Sequence, residues 1–166
     1  FAQAFTNKFP LVPTEDEGRL NDPLIRENFI VKVFSFSRLK DLFKNNFSIG
    51  ELVRFHTQQK FLLLAHSRKY YDELGHLVAK PKSLSKEALK EEYGNTFMKA
   101  LTFKATPKKN SDVLLHMFGF FKKVLSHVEK EDILNTIQDY RKGLLPLIVP
   151  VTLIRHQAHK HNIEYL

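Results

Sequence analysis

Apolar side chains return every three or four residues along most of this chain, and a run of that period can bury one face only as a helix. Ile25, Phe29, Val33, Phe36, Leu39 and Phe43 set the pattern after Asp22 and Pro23, a capping residue followed by a proline suited to the first helical position. Ser48-x-x-Glu51 is a capping box for a second helix running to about Ser67, with Tyr70 to Val78 as a shorter continuation interrupted near Gly75. Ser85 caps a third, carrying Leu89, Tyr93, Phe97 and Leu101 on one face. Thr106 to Ser111 reads as a loop entering a fourth helix, Asp112 to about Leu125. A fifth spans about Lys130 to Lys142 and stops at Gly143; a sixth starts near Pro146, with Pro150 as a kink or restart. No alternating strand pattern of useful length interrupts this series. The expected fold is therefore all-α, a bundle of about six helices over 22–166, preceded by an extended linker over 1–21 that contains Pro10 and Pro13.

With 166 residues, 43% hydrophobic content and 15 Phe, the chain can fill one substantial core. Its most apolar stretch, Leu144 to Ile154, is broken by Pro146 and Pro150 and falls short of a membrane span. No secretory leader pattern is present, so the cytoplasm is the expected compartment. Zero Cys removes disulfides, a thiol nucleophile and any iron-sulfur cluster held by this chain's own thiolates. The net charge of +8 is uneven: residues 32–166 hold 23 Lys/Arg against 13 Asp/Glu. That balance favours anionic partners, nucleic acid ahead of a lipid surface.

The segment from Phe55 to Gly75 breaks its own apolar pattern. On a continuous helix His56, Gln59, Lys60, His66 and Ser67 fall within an arc of about 120°, with Phe55, Phe61, Leu62, Leu64 and Ala65 around much of the rest. Burying such groups unpaired costs several kcal/mol, so the stripe requires either an internal polar network or a wet cleft. In a cleft, Lys60 would hold an anion while the histidines exchange hydrogen bonds with phosphate or base.

The spelling Phe55-His56, Lys60-Phe61, Leu63-Leu64-Ala65-His66-Ser67, Tyr71 and Leu74-Gly75 resembles the bacterial YbgA-like family, a domain family of uncertain function. Val113-Leu114-Leu115-His116 with Gly119-Phe120-Phe121-Lys122 is similar to its second block, and Tyr140-Arg141, Gly143, Pro146-Leu147, Pro150, Leu153 and His156 to its third. Asn110 and Asp112 depart from the His and Asn expected there, and Phe120 replaces a common Tyr. The resemblance adds Tyr71, Tyr140, Arg141 and His156 to the candidate binding residues. Glu15-Asp16-Glu17-Gly18-Arg19 and the residues after it resemble the end of the cysteine-ligated domain that often precedes YbgA-like domains in fused proteins. That upstream family includes iron-sulfur desulfidases of thiolated uracil, among them 4-thiouridine in tRNA. With Phe1 rather than Met at the start, the expectation is a fragment or processed chain whose iron-sulfur cofactor and catalysis belong to an upstream domain.

Other constellations are less specific. Lys104, Lys108 and Lys109 precede a helix start expected at an Asn110 or Ser111 cap, with Lys122 and Lys123 further along, and form a candidate phosphate site or a solvated charge run. His116 stands four residues after Asp112, whose carboxylate would orient or charge it as a binding residue, but the pair reads first as an i,i+4 helix contact. His156, His159 and His161 lack a suitably spaced carboxylate, and no metal site is assigned. The function expected is that of a non-catalytic accessory domain binding tRNA or another RNA for a fused or associated desulfidase. A protein-interaction or small-metabolite module is the alternative. Because thiolates are absent, this chain alone should release no sulfide from 4-thiouridine; sustained turnover in a sulfide-release assay would contradict the accessory assignment.

Overall fold

The computed structural model describes residues 2–165, and no strand occurs among them. The chain divides into two compact units, one ending at Lys104 and the other starting at Ala105.

The first unit begins with α1 (Ala2–Lys8) and a 3-10 turn over Gly18–Asn21, so the stretch expected to be an extended linker is partly helical. Asp16 holds the turn by accepting from the Gly18 N–H at 2.9 Å. The long α2 (Pro23–Phe43) starts as expected: the Asp22 carboxylate accepts from the Leu24 and Ile25 N–H groups, and Pro23 sits where no donor is needed. The Ser48–Glu51 capping box opens α3 (Ile49–Gln58). The expected run to Ser67 breaks at Gln59, whose backbone (φ −90°, ψ 0°) leaves the helical range before α4 (Lys60–His66) begins. A second break at Ser67, in extended conformation, leads to α5 (Arg68–Ala79), which passes Gly75 without interruption. Ser85 caps α6 (Lys86–Ala100). Leu52, Leu63, Leu74, Leu89, Tyr93, Phe97 and Leu101 form the buried centre of this unit.

The second unit packs α7 (Pro107–Phe118), α8 (His127–Arg141) and α9 (Ile148–Lys160) around Leu114, Phe118, Phe121, Ile133, Ile137 and Ile154. Its first two helices start earlier than the periodicity indicates, and α9 starts two residues after Pro146. Thr106 caps α7 by accepting from the Lys109 N–H, which places Pro107, Lys108 and Lys109 inside the first turn and moves Asp112 beyond it. The expected Asn110 or Ser111 cap is thereby corrected. After Phe118 the chain tightens into a 3-10 turn over Gly119–Phe121 instead of continuing to Leu125. Ser126-x-x-Glu129 is a second capping box, and it starts α8 three residues before Lys130. Gly143 stops that helix with φ +78°, a conformation that costs glycine little. Pro150 lies in the first turn of α9, where its missing N–H breaks no helical bond, so neither a kink nor a restart results. The six expected helices survive as α2, α3 to α5 together, α6, α7, α8 and α9; the second is broken twice, and α1 forms within the stretch expected to be a linker.

Glu129 also joins the ends of two helices. Its carboxylate accepts from the Ser126 N–H at 2.9 Å and lies 2.6 Å from Lys160 Nζ at the end of α9. These partners lower its pKa to about 2, the Lys160 bond contributing most. A folded value below the unfolded one means that this contribution is complete above about 4.5 and is lost as pH falls towards 2. Ser126→Ala should cost about 1 kcal/mol in denaturant melts at neutral pH. Glu129→Gln should flatten the dependence of stability on pH below 4.5, and an unchanged profile would show that the cap and ion pair contribute nothing.

Candidate functional site

The polar stripe resolves into separate settings once α3, α4 and α5 are no longer one helix. His56 is buried on α3, with its ring stacked on Tyr71 of α5 at 5.2 Å and 9° between planes. Its Nδ1 lies 3.2 Å from the hydroxyl of Tyr93, itself fully buried on α6. Burial pushes the Tyr93 pKa far up and the His56 pKa down, so both groups are neutral at physiological pH. The Tyr93 O–H has His56 as its described acceptor, so it donates to Nδ1 and leaves the imidazole proton on Nε2. That edge faces Gly75, where an added Cβ would come within 3.8 Å of Nε2. His56, Tyr71 and Gly75, three of the residues that spell the first family block, are therefore one packed cluster.

His66 ends α4 and is almost fully buried. Its Nδ1–H donates to the Phe103 carbonyl at 2.6 Å, which fixes the proton on that nitrogen because a carbonyl can only accept. Lys60 is half-buried with its ammonium 5.5 Å from the Phe61 ring centre. Ser67 is the extended residue between α4 and α5. Gln59 is buried in the cleft between α2 and α3, beside Arg38 and Arg54. The stripe thus divides among a Tyr93 hydroxyl, a backbone carbonyl and an open cleft, and does not line one recognition groove.

Around Phe103 the structure assembles a feature that helical spacing could not show. Phe103 is 44% exposed and lies 5.4 Å from Tyr70, with Lys69 and Lys99 each 5.6 Å over the Tyr70 ring. Exposed Lys104 is the next residue. Only the chain's return at the end of α6 brings residues 69–70 to residues 99–103, and His66 fastens that return.

In the second unit Lys108, Lys109, Lys122, Lys123, Arg141 and His156 are exposed. His116 is exposed and edge-on to Phe120 at 5.8 Å, and Phe120 packs on Tyr165 at 5.0 Å. Tyr140 belongs to the core, and its hydroxyl accepts from the Asn110 carboxamide at 2.8 Å. A base could stack on that ring only if the core opened. His156 lines a depression of about 530 Å³ with Ile148, Val149 and Thr152. Among the described residues no three His, Cys, Asp or Glu side chains are grouped so as to hold a metal ion. No helix among them is long and apolar enough to cross a membrane.

His66, its partner Phe103 and the whole second unit fall within the range of one family model. Residues 60–166 match the family described as "Protein of unknown function (DUF1722)". The chain belongs to that family. It is also 27% identical over 134 residues to the "Uncharacterized protein YbgA" of Escherichia coli (strain K12), a match covering 78% of each chain. No solved structure matches. Membership in the DUF1722 family agrees with the YbgA-like resemblance carried by the three sequence blocks.

The His56–Tyr93 pair makes a measurable demand on pH. His56 resists protonation when folded but accepts a proton near pH 6.5 when unfolded, so the unfolded chain binds more protons in that range. Stability should be complete above pH 6.5 and fall as pH drops through 6.5 towards the lowered folded value. Tyr93→Phe, which leaves a buried ring nitrogen without its donor, should cost about 1–3 kcal/mol at neutral pH. Denaturant melts from pH 8 to 5 would check both, and His56→Gln should remove this share of the pH dependence.

Proposed function

We propose that this chain is a non-catalytic RNA-binding domain that presents thiolated tRNA to a fused or associated cytoplasmic desulfidase. The observation that carries the reading is the Tyr70–Phe103 pair, an accessible aromatic surface flanked by Lys69, Lys99 and Lys104. Aromatic faces among ammonium groups suit single-stranded RNA, because any base has a π-face to stack and any backbone has phosphates to neutralise. Charge supports it: residues 32–104 alone carry fourteen Lys/Arg against seven Asp/Glu. The first turn of α7 adds Lys108 and Lys109 and holds no acidic side chain. A phosphate there would meet the Lys108 N–H and its ammonium group without an acidic side chain in the same turn, the Lys109 N–H being taken by Thr106.

A second reading, a small-metabolite module, has its own support. A trough of about 990 Å³ lies between the N-terminal segment, α2 and α6, with Leu11, Phe36, Leu39, Phe43 and Gly94 in its lining. Its walls mix Lys40, Lys44 and Lys90 with Asp41, Glu87 and Glu91, so they provide little net charge for a polyanion.

Labelled tRNA titrated at several salt concentrations separates the two. The affinity should fall steeply with salt, and replacing Lys104, Lys108 and Lys109 with Ala should reduce the slope of log affinity against log salt by roughly two to three. Phe103→Ala should weaken binding without changing that slope. Folded protein that binds no tRNA at low salt would rule out the RNA reading in favour of the metabolite module.

A further inference from the structure

The long helix α2 is apolar on two sides, and the fold covers one of them. Ser35 and Leu39 are buried on its inner side, where Phe36, Leu42 and Phe43 pack against the centre of the first unit. On the outer side Ile30, Val33 and Phe34 are 47, 41 and 61% exposed. With Arg26, Ser37 and Asp41, which are exposed as well, they fall within an arc of about 100°. A single exposed apolar side chain needs no explanation, but three within five residues on one helix face make a contiguous patch, the mark of an interaction surface.

The charges around the patch identify what covers it. Between Glu27 and Arg38 the one charged residue is Lys32, which the helical period places on the far side of α2. The outer face is therefore apolar in its middle and charged towards both ends. The middle of α2 (Pro23–Phe43) is Val33. A two-fold axis beside Val33 sets a second α2 antiparallel to the first, so that residues whose numbers sum to about 66 lie opposite one another. Ile30, Val33 and Phe34 of the two copies then meet at the centre. Arg26 comes opposite Asp41 and Glu27 opposite Arg38, each pair occurring twice. Arg26 gives one donor to the Leu20 carbonyl at 3.3 Å and retains others. Lys40, on the flank, has its ammonium 5.8 Å from the Phe36 ring centre. A uniformly acidic or basic partner would oppose like charges at one end or both, whereas a second copy matches opposite charges at each. We propose that the outer face of α2 is a homodimer interface, with two copies of this chain packed α2 against α2, antiparallel about Val33. Half the circumference of a helix ~31 Å long and ~10 Å across offers roughly 500 Å² per copy, against about 800 Å² in a standard interface. The association is accordingly reversible, with a dissociation constant on the order of 10 μM.

Sedimentation equilibrium of the full, nuclease-treated chain from about 1 to about 500 μM tests this, and the mass should rise from monomer to dimer across that range. Phe34→Glu, which sets carboxylates at the centre of the pair, should raise the dissociation constant at least about tenfold. Arg26→Glu alone brings carboxylates opposite each other at both ends, and Asp41→Arg alone does the same with guanidinium groups. Each should stay monomeric where the wild type dimerises. Mixed in equal amounts, these two variants should form a heterodimer within about threefold of wild-type affinity, because each then meets the opposite charge in the other. All three positions are exposed, so helix content and melting temperature at low concentration should match the wild type. Should Phe34→Glu fail to fold, the two charge variants and their mixture still decide. A wild type that is monomeric at about 500 μM would overturn the proposal and leave the face to a different partner. A dimer that none of the variants weakens would place the interface elsewhere. Single charge variants that mixing does not rescue would overturn the antiparallel pairing.

Discussion

Tyr93 has no solvent exposure, yet it carries a hydroxyl, and the first unit is arranged around that conflict. The ring meets Phe43, Phe55 and His56 edge-on and stacks on Phe97, which ties α2, α3 and α6 through one side chain. Such contacts favour burial, but the hydroxyl must have an acceptor once water is gone. His56 supplies it, and burial in turn keeps the imidazole neutral and able to accept. Tyr71 then covers the face of His56, while Gly75, one turn further along α5, leaves room at its edge. A histidine on the inner face of a helix is thus a consequence of a tyrosine 37 residues away.

His66 meets a different requirement. The chain leaves α6 after Leu101 with its carbonyls no longer paired along the helix, and the bond to Phe103 O supplies one donor. Anchoring that carbonyl holds Phe103 against Tyr70 and so creates the aromatic surface beside Lys69 and Lys99. Here a buried polar contact and the candidate RNA surface are mechanically linked: the imidazole is inside, and what it positions is outside.

The helices were legible because their determinants are local. Asp22-Pro23, Ser48-x-x-Glu51, Ser85 and Gly143 each fix an end through contacts within a few residues, and each does so in the structure. Ser126-x-x-Glu129 is the same signal and was available to sequence reading. Pro107 likewise marks a helix start, with Thr106 before it as cap. The breaks at Gln59 and Ser67 have no comparable local mark, since neither Gly nor Pro is near and the surrounding residues favour helix. They are set by packing: α3 and α5 both contact neighbouring helices of the unit, and a straight rod from Ile49 to Ser67 would have carried His56 and His66 on one face. Five polar residues share one arc on a continuous helix and separate here because the chain turns at Gln59 and Ser67.

That turn gives each polar residue of the stripe its own surroundings. Three buried polar side chains, similar on a helical wheel, differ in how their hydrogen bonds are completed: His56 through another side chain, His66 through a backbone carbonyl, and Gln59 through nothing described in the chain. The first two have sufficient structural reasons to exist, and retaining them requires no ligand. Gln59 has no such partner, and its amide keeps its contact with solvent at the cleft instead. Its position at a helix break also matters, because the departure from helical geometry brings it to the inner end of a cleft that already carries two arginines. Burial alone therefore does not mark a functional polar residue. What separates Gln59 from the histidines is that its amide opens towards the cleft, whereas each imidazole meets a partner inside the unit.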